Sequence, residues 1–297
     1  MPSLARVDHL SEPDRAAVRA LVDDVARRTG HPALPDNKAV QVAGRAPFDG
    51  FAILAREPDR VTGYAHAARA GDDNAWNLQV VVAPEEVSDL GLPLLSVAME
   101  EAASRGARRL QWFTFRAGPA EAEVASRLGL SPWRELVQMR RGMPLDEEAR
   151  LPEGVRLRAF RPGLDDEVWV TVNARAFATH PEQSRVTVAE LRALMAEEWF
   201  DSEGFLVAED DAGMAGFCWT KVADPSEGEI YVIGVDPDRQ GTGLGRALVV
   251  AGLAHIAAQG AAEASLYVDG DNAAARALYE NLGFHVDHVD RVYACDR

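Results

Sequence analysis

The residues of this 297-residue chain with the clearest chemical potential run from Val232 to Arg246, VIGVDPDRQGTGLGR. An apolar stretch leads into a turn carrying Gly241, Gly243 and Gly245, and a helical pattern begins directly after it. Glycines at this spacing let consecutive backbone N–H groups converge on one concavity at a helix N-terminus, where the helix dipole also favours an anion. Arg239 and Arg246 flank the turn and add positive charge. The arrangement suits a pyrophosphate. A dinucleotide fingerprint would read GxGxxG, with an acidic residue in a later strand, and a P-loop would carry Gly-Lys-Ser/Thr. Neither is present, which leaves a phosphate cradle of another kind or a glycine turn without a ligand.

Two other stretches hold polar groups in telling places. Glu229 opens an otherwise apolar run, 229–235, a costly position for a carboxylate unless it faces a cleft. Downstream, LYVDGDNAAARALYENLGF places Asn272 where it can cap a helix over 273–281. Tyr279 falls near the end of that helix, as a core aromatic or as a hydroxyl presented to a site.

The elements that must position these groups recur along the chain. Gly63 in AILARE…VTGYA and Gly216 in FLVAE…MAGFC are 153 residues apart, and so are Pro84 and Pro237 after their apolar strands. Gly129 and Gly283, each after a leucine that ends a helical pattern, are 154 apart. Three landmarks in one order at a nearly constant offset indicate a duplication. The second half reads as strand 155–160, helices 165–178 and 188–198 (the latter capped by Thr187), and a hairpin of 205–209 with 214–222. Strand 229–235, helix 243–259, strand 264–268, helix 273–281 and strand 284–294 complete it. The first half follows with helix 12–28, a hairpin over 52–70, strand 77–82, helix 92–105, strand 109–115, helix 120–128 and strand 135–140. The class is α/β with a mixed sheet, in two tandem domains, 1–143 and 155–297, joined by an acidic, proline-containing linker at 144–154.

Composition narrows the function. Against 31 basic residues stand 47 acidic ones, a formal charge of −16, and such a surface repels phosphate backbones, so nucleic acid is not expected as a partner. The longest apolar run, near 247–258, is broken by His255 and is too short for a bilayer. The opening MPSLARVDHLSEPDR has no signal-type apolar core, so a cytoplasmic location is expected, with Cys218 and Cys295 as reduced thiols. The seven histidines form no metal-ligand spacing, and no metal is expected.

Gln240-x-x-Gly243-x-Gly245 after a strand, Asn272 opening a helix, Leu278-Tyr279 near its end and Gly283-Phe284 starting the last strand together resemble the GNAT superfamily of N-acetyltransferases. More specifically, AFATHPEQ at 176–183, EWFD at 198–201, FCWTK at 217–221, GEIYVIGVDP at 228–237 and LYVD at 266–269 are similar to the tandem members that make mycothiol in actinobacteria, the mycothiol synthases. The likeness covers most of residues 150–297 and is weak before them, except at 128–130 and 134–141.

The resemblance implies that the chain acetylates a small-molecule amine, the cysteine amine of cysteinyl-glucosaminyl-inositol, using acetyl-CoA. It puts acetyl-CoA contacts on Ile233, Gly234 and Val235, on Gln240, Gly241, Thr242, Gly243, Leu244, Gly245 and Arg246, and on Asn272, Ala273, Ala274, Ala275, Arg276 and Ala277. Acceptor contacts fall on Asp36, Glu182, Lys221, Glu229 and Tyr267, with Glu229 as base and Tyr279 as acid. Read alone, Glu182 and Lys221 are ordinary surface charges. An acetyltransferase for an aminoglycoside or a peptide N-terminus, and a non-catalytic acyl-CoA sensor, are the alternatives. A monomer is expected.

The first repeat departs from the pattern. At the repeat offsets, Val87, Leu90 and Leu92 replace Gln240, Gly243 and Gly245, and Gly118 and Ala125 replace Asn272 and Tyr279. Glu85, Glu86 and Asp89 put negative charge where a pyrophosphate would sit. The first domain therefore reads as a structural partner with a degenerate cofactor site, walling one side of the acceptor cleft.

Overall fold

A computed structural model describes residues 2–70, 74–178, 180 and 183–297. By its backbone contacts the chain divides into two units, Met1–Glu135 with Val289–Arg297, and Leu136–His288.

The first unit begins with β1 (Ser3–Val7), α1 (Glu12–Thr29) and α2 (Asp36–Val42), followed by β2 (Gly50–Glu57), β3 (Arg60–Ala70) and β4 (Ala75–Val82). It continues with α3 (Leu92–Ser104), β5 (Arg109–Thr114) and α4 (Pro119–Arg127). The Ser11 side chain accepts from Asp14 N and caps α1, and Gly30, in the left-handed region, ends it. Strands run in the order β1-β2-β3-β4-β5, antiparallel except for the parallel β4–β5 pair. Neither β1 nor α2 was expected from the sequence. Both are short, with too few turns or alternations to show a period.

The second unit holds β7 (Arg156–Ala159), α5 (Asp166–Ala176), α6 (Val188–Met195), β8 (Phe205–Asp210) and β9 (Gly213–Asp224). Then come β10 (Glu227–Val235), α7 (Leu244–Ala258), β11 (Glu263–Asp269) and α8 (Ala273–Asn281), with strand order β11-β10-β9-β8-β7. Thr187 caps α6 in a reciprocal box with Glu190. That helix stops at Met195 rather than 198, because the chain turns there and lays Trp199 and Phe200 against Trp219.

The terminal strands are exchanged. Residues 136–142 of β6 (Ser131–Gly142) pair antiparallel with β11 inside the second unit. Residues 291–296 of β12 (His285–Asp296) pair antiparallel with β5 inside the first. The compact units thus differ from the sequence repeats 1–143 and 155–297 in which closing strand each contains.

The duplication shows in packing. A Cβ on Gly63 would come within 2.6 Å of Leu94 Cδ1, and one on Gly216 within 3.1 Å of Leu248 Cδ1. In each unit the glycine lets a fully buried leucine, on α3 or α7, rest against its strand. Truncating such a leucine to alanine typically costs about 3–5 kcal/mol.

Candidate active site

The glycine turn forms a cradle at the start of α7. Gly243 is the N-cap residue, with φ 87° and ψ −3°, and its side-chain position makes no capping bond. The first N–H groups of a helix have no carbonyl one turn back, so those of Leu244, Gly245 and Arg246 point outward from the helix end. A Cβ on Gly241 (φ 76°) or Gly243 would meet nothing within 4 Å, so open space lies in front of the backbone. These residues fit a pyrophosphate.

Acidic ion pairs fix the approach to the cradle. Buried Asp236, at the end of β10, takes Arg175 Nε at 2.8 Å and the N–H of Asp238 at 2.9 Å. Burial raises its pKa, but the Arg175 hydrogen bonds outweigh that and hold the carboxyl below its ordinary range. Thr242 Oγ1 donates to the Arg239 carbonyl at 2.8 Å, and Gln240 Nε2 to the Val235 carbonyl at 3.4 Å. Arg239 is committed to Asp210 (2.7 Å), and Arg246 makes a bidentate pair with Glu147 (3.0 and 2.7 Å). The positive charge expected of these two arginines is thus offset by carboxylates, and the backbone N–H groups carry the attraction for an anion.

Beside the cradle the sheet forks. Strands β10 and β11 pair in parallel from Glu227–Glu263 to Ile230–Leu266, and no pair follows although both strands continue. A register shift between Ile230 and Val232 against β9 makes Tyr231 a bulge at the same level. Ile233, Gly234 and Val235 line the β10 arm beyond the fork. Across it, Asn272 Oδ1 accepts from Ala275 N at 3.1 Å and caps α8, as its position in the sequence suggests, placing Ala273, Ala274, Ala275, Arg276 and Ala277 in the first turns. Tyr279, on the same helix, is 6% exposed, and burial pushes its hydroxyl up to about 12, so it is protonated at neutral pH.

Glu229 is partly buried and lies in register with Lys221 on β9 and Ser265 on β11, so their side chains share one face. Tyr267, two residues beyond Ser265, follows on that face, with its ring 6.2 Å from His288. The structure therefore brings Lys221, Glu229 and Tyr267 together. Asp36 is the first residue of α2 in the other unit, and Glu182 lies outside the described residues. Sequence reasoning missed the rings around Lys221, whose Nζ lies 5.0 Å from the Trp199 ring centroid and 5.5 Å from that of Tyr231. The signal was available in the EWFD and GEIYV blocks, as aromatics flanking charged residues.

In the first unit β4 and β5 fork likewise, after Leu78–Trp112. A 3-10 turn (Pro84–Glu86) and a single π turn (Val87–Gly91) follow, in place of a glycine cradle. Glu85 there pairs with Arg28 at 2.6 Å.

Among the described residues, no cluster of three or more His, Cys, Asp or Glu could hold a metal ion, and no helix is long and apolar enough to cross a membrane. Residues 172–284 match the acetyltransferase (GNAT) family. Solved structures similar to the chain include a tandem GNAT protein from the clavulanic acid biosynthesis pathway, with TM-score 0.73, 17% identity, and 99% and 98% of the two chains covered. A GCN5-related N-acetyltransferase from Sphaerobacter thermophilus gives 0.69 and 22%, with 99% and 95% covered. Both bear on the fold alone. The mycothiol acetyltransferase of Catenulispora acidiphila is 40% identical over 98% of each chain. Those of Streptomyces avermitilis and Streptomyces coelicolor are 41% and 40% identical, each over 98% of this chain and 94% of theirs. Identity at that level along nearly the whole of both chains decides the matter: this is an N-acetyltransferase, and it belongs to the family of the mycothiol acetyltransferases.

Proposed function

We propose that the second repeat, 155–297, transfers the acetyl group of acetyl-CoA to the cysteine amine of cysteinyl-glucosaminyl-inositol, giving mycothiol and CoA. The observation that carries this is the open glycine cradle beside the fork of β10 and β11, with Glu229 at the fork and Tyr279 on the helix across it. Leu244, Gly245 and Arg246 present backbone N–H groups to the pyrophosphate, helped by the positive end of α7. Ile233–Val235 and Asn272–Ala277 line the path of the pantetheine arm.

Acetyl-CoA supplies the acetyl group as a thioester, which an amine attacks only after losing its proton. Glu229 accepts that proton, directly or through water. A backbone N–H of the β10 arm holds the negative charge that develops on the thioester oxygen. Tyr279, protonated at neutral pH, gives its hydrogen to the departing sulfur. Lys221, Tyr267 and Glu182 bind the acceptor.

The first repeat, 1–143, holds no acetyl-CoA. Val87, Leu90 and Leu92 cannot form the cradle, and Glu85, Glu86 and Asp89 oppose an anion. The protein acts in the cytoplasm as a monomer, without a metal.

The test is mass spectrometry of the purified chain with acetyl-CoA and a panel of amines: cysteinyl-glucosaminyl-inositol, an aminoglycoside and a peptide N-terminus. The expected product is the first amine plus one acetyl group, stable to hydroxylamine as an amide is and a thioester is not. Preference for another amine, or binding of acetyl-CoA without transfer to any, refutes the assignment.

A further inference from the structure

Beside Glu229 the second unit carries a column of aromatic rings that proton transfer does not require. Phe160 stacks on Phe205 with centroids 4.1 Å apart, and Phe205 on Trp219 at 4.4 Å, both nearly parallel. All three are buried. Trp219 in turn supports Trp199 (5.6 Å) and Tyr231 (5.4 Å), which lie 5.1 Å from each other and are only partly buried. The buried rings thus support two partly buried ones, and the Lys221 ammonium rests against both.

We propose that Trp199, with Tyr231, is the specificity-determining wall of the acceptor site, which takes a polyhydroxylated ring. The inference rests on the assignment of Lys221 and Glu229 to the acceptor. A cyclic polyol or sugar has a face of C–H groups and a rim of hydroxyls. The C–H face matches an aromatic surface, whose π cloud is negative and whose area is released from water on contact. The rim, whose hydroxyl oxygens accept hydrogen bonds, matches an ammonium, which only donates them. An anionic acceptor would engage the ammonium but would have no use for the rings.

Trp199 is then a binding residue, read out in KM. For Trp199→Ala we expect KM for cysteinyl-glucosaminyl-inositol to rise about ten-fold, with a smaller effect on kcat. KM for acetyl-CoA, and for cysteinamide, an acceptor without a ring, should hold at the wild-type values. Trp199→Phe should restore most of the affinity, and Trp199→Leu, which keeps apolar bulk without a ring, should not. The leucine variant also serves if alanine prevents folding. An unchanged KM for the ring-bearing amine, or an equal loss for both acceptors, overturns the proposal while leaving the acetyltransfer assignment standing. A wild-type protein inert toward cysteinyl-glucosaminyl-inositol overturns both.

Discussion

Gly243→Ala separates backbone strain from ligand approach. Gly243 sits at φ 87°, in the left-handed region, where an L residue pays roughly 1–2 kcal/mol. The added Cβ meets nothing within 4 Å, so no steric cost joins that strain in the free protein. For a unit of this size a loss near 1 kcal/mol lowers Tm by about 2–4 °C. The same strain is present with and without ligand and cancels from Kd. Any change in affinity therefore reports how closely a phosphate approaches the backbone. Hydrogen bonds to charged groups contribute about 1.5–3 kcal/mol each, so pushing a pyrophosphate off even one N–H should weaken binding roughly 10–100-fold. Thermal melts and calorimetric titration with acetyl-CoA measure the two effects separately. A variant whose Tm falls as expected but whose Kd stays within about two-fold of wild type would refute the cradle.

Glu229→Gln should lose about 10²–10⁴ in kcat at neutral pH and recover much of it as pH passes the amine pKa near 8, whereas the Tyr279→Phe defect should persist, because a free amine does not help the thiolate leave. A Glu229→Gln profile that stays flat to about pH 9 removes Glu229 as the base. Calorimetry should give one acetyl-CoA per chain; two sites would overturn the reading of the first repeat. Burial raises the pKa of Asp165, but hydrogen bonds from Arg161 and Arg158 outweigh it and hold the carboxyl at about 2, below its ordinary value. Its contribution is thus present above about pH 4 and lost as pH falls through 2, so Asp165→Asn should cost about 2 kcal/mol in urea unfolding at pH 7 and little at pH 2. A fragment beginning at residue 144 lacks β6 and should be less soluble and less folded by circular dichroism than one beginning at residue 131; equal behaviour would show that β11 does not need its β6 partner.

Local chemistry made much of this architecture legible. Thr187 and Asn272 announce helix starts because a short side-chain acceptor can reach the N–H groups of the first turn, and both do so. The spacing of Gly241 and Gly243 reports a left-handed turn, and both have positive φ. What could not be read is set by distant partners. Nothing local to residues 136–142 or 291–296 says which unit supplies the neighbouring strand, since either edge satisfies the same hydrogen bonds. The carboxylates that engage Arg239 and Arg246 come from Asp210 and Glu147, 29 and 99 residues away. Trp199 falls just past the helix expected over 188–198, and only the turn after Met195 brings it to Lys221.

The exchange of closing strands bears on how a repeat without a cradle can remain part of a working enzyme. In the first unit the core includes Trp76, Leu78, Leu94, Leu95, Met99, Leu110 and Trp112, and Val82 and Leu90 on either side of the Pro84–Glu86 turn, all buried. The turns that stand in place of a cradle join that core, with Leu90 buried in it and Val87 and Leu92 packed against it. The second unit depends on the first repeat in another way. Its β11, which carries Tyr267, takes its antiparallel partner from residues 136–142. A free edge on β11 would leave a row of backbone groups unpaired beside the fork, and such edges invite pairing with other chains. The last strand of the first repeat is thus a working part of the second unit's sheet.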